Sequence, residues 1–301
     1  MRASRICPRS VIPTLMASVL SGLVGIGSAS AKPEYVWGGK LDLTRGVSTV
    51  DGSAGGGIAS WALISGNETR DGIGGTANVT ALRSHNFTLT SYAAGIGAWD
   101  RYEVTLGGQD FDTGRTGGRL GLGNGYTFHQ DILGLKARLF GDAVYDQDHW
   151  TPQVAVGAQI KSADHKAILH ALGARRASGV DYYVSATKIL LDRSLLIDAT
   201  IRMTEANQWG LLGFGGDRRS GYQPQFEGSI GYLVTPRLLV GAELRTKPDN
   251  LRFAREGDAA DLFAAVALSK TLSATLAWAE IGDVATLRRQ SGLYLSLQAG
   301  F

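Results

Sequence analysis

The final stretch of the chain, Ser291 to Phe301, constrains the fold more than any other. Leu293, Leu295, Leu297, Ala299 and Phe301 fall on one face of an extended strand, and Tyr294, Ser296, Gln298 and Gly300 on the other, because successive side chains of a strand point to opposite sides. The sequence then stops on an aromatic residue. Chain ends in water fray, so a closing amphipathic strand is expected of a membrane β-barrel. There Phe301 would serve as the assembly signal read by the barrel-assembly machinery.

The remainder of the sequence divides in the same way. Candidate strands, fourteen in all, lie near 39–49, 57–67, 73–83, 87–98, 101–111, 131–144, 150–162, 180–191, 194–205, 222–234, 237–248, 260–269, 272–282 and 291–301, with lengths suited to tilted membrane strands. From the fourth onward the connections alternate. Trp99–Arg101, Asp146–His149, Asp192–Arg193, Thr235–Pro236 and Ser269–Thr271 are tight, whereas 112–130, 163–179, 206–221, 249–259 and 283–290 are long. Short periplasmic turns and long outer loops are the pattern of an up-and-down transmembrane barrel. The alternation fades in the first hundred residues, so twelve strands is the alternative count.

The leader is legible. Arg2, Arg5 and Arg9 precede an apolar run from Val11 to Ile26 and then Ala29-Ser30-Ala31, the order of a cleaved signal peptide. Residues 1–31 are therefore expected to be removed after Ala31, leaving 32–301 as the barrel in the outer membrane. Loss of the three leader arginines takes the 30 basic residues to 27, equal to the 27 acidic ones, so a nucleic-acid partner has no charge support. Cys7, the single cysteine, leaves too, which excludes disulfides and thiol chemistry in the mature chain. No later stretch has the ~18 consecutive apolar residues of a membrane helix.

The charged residues of the cleanest strands share one face. Val154, Val156, Ala158 and Ile160 oppose Gln153, Gln159 and Lys161; Leu195, Ile197, Ala199, Ile201 and Met203 oppose Asp198, Thr200, Arg202 and Thr204. Leu238, Val240, Ala242 and Leu244 oppose Glu243, Arg245 and Lys247. A charge on the lipid face costs about 2–4 kcal/mol at the bilayer midplane, so the charged face is the wet one. Candidate lumen residues are Arg101, Glu103, Lys136, Arg138, Asp142, Lys161, Asp198, Arg202, Glu227, Glu243, Arg245 and Lys247. Asp217, Arg218 and Arg219, after two glycines, and Asp249 and Asn250 are candidates for a charged constriction folded inward from outer loops. Trp99, Tyr102, Trp150 and Tyr232 lie beside short turns, where an interfacial girdle belongs.

Several blocks together carry a resemblance: Gly46-Val-Ser-Thr-Val-Asp-Gly-Ser-Ala-Gly-Gly-Gly57, Leu139-Phe-Gly-Asp-Ala-Val-Tyr-Asp-Gln-Asp148, Leu211-Leu-Gly-Phe-Gly-Gly-Asp217, Arg245-Thr-Lys-Pro-Asp-Asn-Leu251 and Gly292-Leu-Tyr-Leu-Ser-Leu-Gln298. The chain resembles a family of uncharacterised Gram-negative exported proteins, classed as a domain of unknown function. The resemblance spans nearly all of the mature chain and implies an outer-membrane location, with no catalytic residues to carry over.

Motifs for chemistry are weak. Asp112-Thr113-Gly114 occurs once, whereas an aspartic protease pairs two such carboxylates; a turn is the plainer reading. Gly121-Leu-Gly-Asn-Gly125 lacks the strand-to-helix setting of a dinucleotide loop. His165 and His170 are five apart, not the i,i+4 spacing of a helical metal pair, and the segment His165–Leu172 reads as a short loop helix ended by Gly173. No metal, cofactor or enzymatic activity is expected. The function expected is a passive channel for small polar solutes. The alternatives are a non-transporting barrel assisting polysaccharide or envelope assembly, and a lipid hydrolase using His85, His129 or His170 at the rim.

Overall fold

The computed structural model describes residues 39–301. The expected leader, Cys7 and the cleavage position after Ala31 lie outside the described residues, as do residues 32–38. A short hairpin, β1 (Val47–Ser48) with β2 (Ala54–Gly55), precedes twelve long strands. These are β3 (Ile73–Ser84), β4 (Thr88–Ala98), β5 (Tyr102–Asp112), β6 (Thr127–Phe140), β7 (Gln153–Ala163), β8 (Ser178–Leu190), β9 (Leu195–Thr204), β10 (Gln223–Thr235), β11 (Leu238–Arg245), β12 (Ala259–Ala267), β13 (Leu272–Glu280) and β14 (Ser291–Gly300). Each pairs antiparallel with its sequence neighbours. β14 closes the ring on β3, from Gly292 opposite Ser84 to Gly300 opposite Thr76. Closure leaves no edge strand with unpaired amides, the condition for strands to cross hydrocarbon.

Twelve is the smaller of the two expected counts, and the reason is local. The first two expected strands, 39–49 and 57–67, do not join the ring. Trp61-Ala62-Leu63-Ile64 is a run of consecutive apolar residues, all buried. A strand with lipid on one side and water on the other alternates; a segment enclosed on every side has no such need. These residues lie inside the barrel.

The wall follows the parity of the sequence. Val79, Val104, Ile160, Ile201, Ile230, Leu262, Leu276 and Leu295 are exposed on the outer face, while Glu103, Lys161, Arg202, Glu227, Glu243 and Arg245 on the alternate positions are buried. Trp99, Tyr102, Trp150 and Tyr232 are exposed near one end, and Trp99 meets Tyr102 edge to face, with ring centroids 6.1 Å apart. That end carries the short connections 99–101, 191–194, 236–237 and 268–271; the other carries 113–126, 164–177, 205–222, 246–258 and 281–290.

One turn departs from expectation. The connection expected to be tight at Asp146–His149 runs from residue 141 to 152. Asp142 accepts hydrogen bonds from the Val144 and Tyr145 N–H groups at 2.9 and 2.7 Å, and Lys188 donates to the Asp142 and Thr151 carbonyls. These bonds fold the segment across the barrel end, burying Ala143 and Val144.

Ile230 stands at mid-strand on the outer face. Ile230→Arg should destabilise the barrel by about 2–4 kcal/mol in denaturant titrations in lipid vesicles. A change below about 1 kcal/mol would contradict a lipid-facing position there.

Candidate functional site

An extended backbone segment enclosed by a barrel must find a partner for every N–H and C=O. Residues 41–68 find theirs partly within the segment, as where Val50 donates to Gly57 and Trp61 to Ala54, and partly on the wall. The Ile58 N–H donates to Glu243 at 2.9 Å, Ser60 to Glu227 at 2.8 Å, Ala62 to Thr187 at 2.7 Å and Ser65 to Glu103 at 2.8 Å. In the other direction Gln109 donates to the Val50 carbonyl at 2.6 Å, Lys136 to Leu63 at 2.9 Å, Gln153 to Ala62 at 2.6 Å and Thr200 to Ser60 at 2.7 Å. These partners stand on β5 through β11, around more than half of the ring. The segment is a plug.

Glycine makes its path possible. A Cβ on Gly56 would lie 1.7 Å from the Glu243 carboxylate, so the close approach of the backbone to that side chain requires glycine. Gly52, at φ +88°, turns the hairpin between β1 and β2 in the left-handed region.

At the centre a closed ring of six alternating charges joins plug to wall. Asp51 pairs with Lys161 (3.2 Å), Lys161 with Asp181 (3.0 Å), Asp181 with Arg202 (3.7 Å), Arg202 with Glu227 (2.5 Å), Glu227 with Arg245 (3.2 Å) and Arg245 with Asp51 (2.7 Å). All six are buried. Three acids and three bases cancel, and each charge lies between two of opposite sign, the arrangement that offsets desolvation. Arg202 also donates to Gln159 and the Ser60 hydroxyl and lies 4.8 Å over the Tyr183 ring. Glu103 and Lys136 form a second buried pair at 3.3 Å.

Of the other expected lumen residues, Asp198 is buried against Thr187, and Lys247 is buried at the long-loop end, 3.6 Å from Glu256. Asp142 is buried in the short-turn end, where Arg138 reaches it and Asp100. Arg101 departs from expectation: it sits exposed in the turn after Trp99. The sequence reading missed Asp51, Asp181 and Asp261. Asp181 and Asp261 occupy inward positions of β8 and β12, a signal that strand parity carries. Asp261 stands opposite Glu243, and neither of its carboxylate oxygens has a hydrogen-bond partner among the described residues.

The 205–222 loop buries residues other than the expected constriction. Asp217, Arg218 and Arg219 are exposed, whereas Trp209, Leu211, Leu212 and Phe214 of the same loop are buried. Arg218 pairs with Asp249, and Asn250 donates to the Glu205 carbonyl and to Asn207, so these residues fasten the 205–222 and 246–258 loops together. Apolar side chains win the interior because burying them needs no partner, whereas a guanidinium does. The loop helix forms at Lys166–Ala171, and its own Leu169 is buried. Asp112 ends β5 and its side chain accepts the Gly114 N–H of the following turn at 2.7 Å. His129 lies between Asp110 and Asp131 at 2.7 and 3.0 Å, and His170 bonds the Ala174 carbonyl. No serine is among their hydrogen-bond partners within the described residues.

Phe301 is half exposed, and its carbonyl accepts the Gly75 and Asn67 N–H groups at 2.7 and 3.3 Å, joining the last residue to the base of the plug. There burial pushes the Glu68 carboxyl up to about 7, against the opposing pull of Lys40.

Asp51→Asn leaves Lys161 and Arg245 adjacent without their shared acid, and should cost about 3–5 kcal/mol; protease should then nick residues 42–68 while β3–β14 stay intact. Unchanged resistance would remove the ring as the anchor. Between pH 4.5 and about 7 the folded state retains a proton on Glu68 that an unfolded chain releases. The stability it contributes is present at low pH and lost as pH rises through 7. From pH 6 to pH 8 plug seating should weaken by about 1 kcal/mol, measured by the same proteolysis, and Glu68→Gln should abolish the difference. An equal pH effect in Glu68→Gln would exclude this carboxyl as the source.

No curated protein matches the sequence. Among solved structures, the NanC porin is 10% identical with a TM-score of 0.47, the similarity covering 75% of this chain and 98% of that one. The KdgM porin, solved in complex with disordered oligogalacturonate, is 8% identical at a TM-score of 0.44 over 75% and 99% of the two chains. Outer membrane phospholipase A from Escherichia coli is 10% identical at 0.41 over 76% and 92%. The model of a family described as protein of unknown function, DUF3034, matches residues 44–298, and the chain belongs to that family.

Proposed function

We propose that the protein is an outer-membrane barrel, exported with loss of residues 1–31, that rests closed and passes a small polar solute when the plug leaves the lumen. The observation that carries this reading is the charged ring. A buried ion-pair network is often no more stabilising than apolar residues of similar volume. A barrel filled permanently has no energetic reason to keep Lys161, Asp181, Arg202, Glu227 and Arg245 on its inner wall. A barrel that is alternately filled and flooded does, because the same side chains pair with the plug and hydrate without it. The apolar outer face meets lipid, the short turns with Phe301 face the periplasm, and the closing strand engages the assembly machinery. The equal count of acids and bases in the expected mature chain gives nucleic acid no purchase.

Planar-bilayer recording tests the reading. The mature protein should show little steady conductance, and deletion of residues 42–66 should open it, since β3 begins only at Ile73. In the deleted barrel, neutralising Arg202 and Arg245 with glutamine should shift selectivity toward cations. Equal steady conductance with and without the plug would contradict gating. A folded, plug-free barrel that never conducts would favour the non-transporting barrel of envelope assembly.

A further inference from the structure

All six connections of the long-loop end converge on one cavity of about 110 Å³. Phe87 comes from the β3–β4 turn, Leu120 and Leu122 from the β5–β6 loop, and Leu172 from the β7–β8 loop. Trp209, Leu211 and Leu212 come from the β9–β10 loop, Phe253 from the β11–β12 loop, and Ile281 and Val284 from the β13–β14 loop. Leu89, Phe111 and Phe128, on strand positions that face inward, complete the wall. Besides the indole N–H of Trp209, only Thr113, Thr116 and Gln208 bring polar side chains. Phe87 and Phe111 are stacked with centroids 5.1 Å apart. Leu120 and Phe253 are partly exposed, so the chamber reaches the surface between their loops.

Gln208 and Trp209 link the chamber to the charged lumen, and both are held in an unusual way. Gln208 and Trp209 both have left-handed backbone, at φ +45° and +61°, a conformation that costs non-glycine residues of order 1–3 kcal/mol each. Glu256 accepts the Gln208 N–H at 2.8 Å, and Lys161 of the charged ring donates to the Trp209 carbonyl at 3.1 Å. The indole lies near Arg245 and Lys247, 5.3 and 5.6 Å from its ring centroid, and also lines the cavity. Its Nε1 is buried with no hydrogen-bond partner among the described residues. Buried indole N–H groups ordinarily find an acceptor.

We propose that this chamber binds a small uncharged aromatic molecule bearing one hydrogen-bond acceptor. Apolar cavities of comparable size, about 150 Å³, stay dry and admit benzene, and the rings of Phe87, Phe111, Phe128 and Trp209 offer edge and face contacts to another ring. The unpaired Trp209 N–H adds selectivity for a carbonyl or ether over a plain hydrocarbon, since a site with an unused buried donor favours the ligand that satisfies it. A charged solute is disfavoured, because nothing in this lining pairs with it. The chamber is built by loops and upper-wall residues, so binding here does not require the plug to move.

Ligand-observed fluorine NMR with the mature protein in lipid nanodiscs tests this, with empty nanodiscs accounting for partition into lipid. Fluorobenzene and 4-fluoroacetophenone should each bind saturably to one site, the ketone more tightly. Leu89→Trp and Leu211→Phe both fill the chamber, one from the wall and one from a loop, and each should weaken both ligands at least about ten-fold. Heat-modifiable gel mobility reports that each variant is folded. Trp209→Phe should erase the preference for the ketone while fluorobenzene still binds. No saturable binding above empty nanodiscs, or undiminished binding in the two filled variants, would overturn the site. A retained ketone preference in Trp209→Phe would overturn the role of the indole. Conductance is a separate readout: a barrel that never conducts but binds both probes would refute the gated channel and leave this site standing.

Discussion

Six charges that none of their elements could bury alone hold the interior together. Lys161, Asp181, Arg202, Glu227 and Arg245 come from five consecutive strands, β7 to β11, and Asp51 comes from the plug. In a dry interior each would face a desolvation cost of several kcal/mol. Closed into a ring, each has two neighbours of opposite sign, and the plug's backbone bonds further donors and acceptors on β5 to β11. The ring therefore ties strand register, plug position and lumen charge to one another. Shifting a strand by one residue would turn its charge toward lipid.

From that constraint two compartments follow. Below Trp209 the interior is polar, ionic and filled with chain; above it, the loops make an apolar chamber. The carbonyl of Trp209 takes a hydrogen bond from Lys161 of the ring while its indole lines the chamber. The same residue thus touches both spaces, and its backbone there is left-handed. Aromatic rings tolerate this position because cations sit favourably near one part of the ring while its carbon surface packs against apolar neighbours.

The barrel itself was legible in the sequence because two environments, lipid and lumen, act on alternate residues. Leu195 to Thr204 and Leu238 to Arg245 show this parity plainly, and the inward charges Lys161, Arg202, Glu227, Glu243 and Arg245 come from it. The plug was not legible in that way. Trp61 to Ile64 are surrounded on every side, so no period marks them, and Gly56 and Gly57 lie against a partner, Glu243, that is 186 residues or more away in the chain. The same limit hid the loop fold. Nothing local distinguishes the exposed Arg218 and Arg219 from the buried Leu211 and Phe214 except that hydrophobic burial needs no partner. That rule, applied to the 206–221 segment, would have reversed the expected constriction.

The central claim is that residues 41–68 occupy the lumen of the closed protein in its membrane. Its most direct measurement is oxidative cross-linking of Ser60→Cys with Ser185→Cys, in residues 32–301, which contain no native cysteine, since the Ser185 hydroxyl donates to the Ser60 carbonyl at 3.3 Å. The account predicts efficient intramolecular cross-linking in intact outer membranes, with the single Ser60→Cys variant shielded from membrane-impermeant thiol reagents. Rapid labelling of Ser60→Cys together with no cross-link would contradict it.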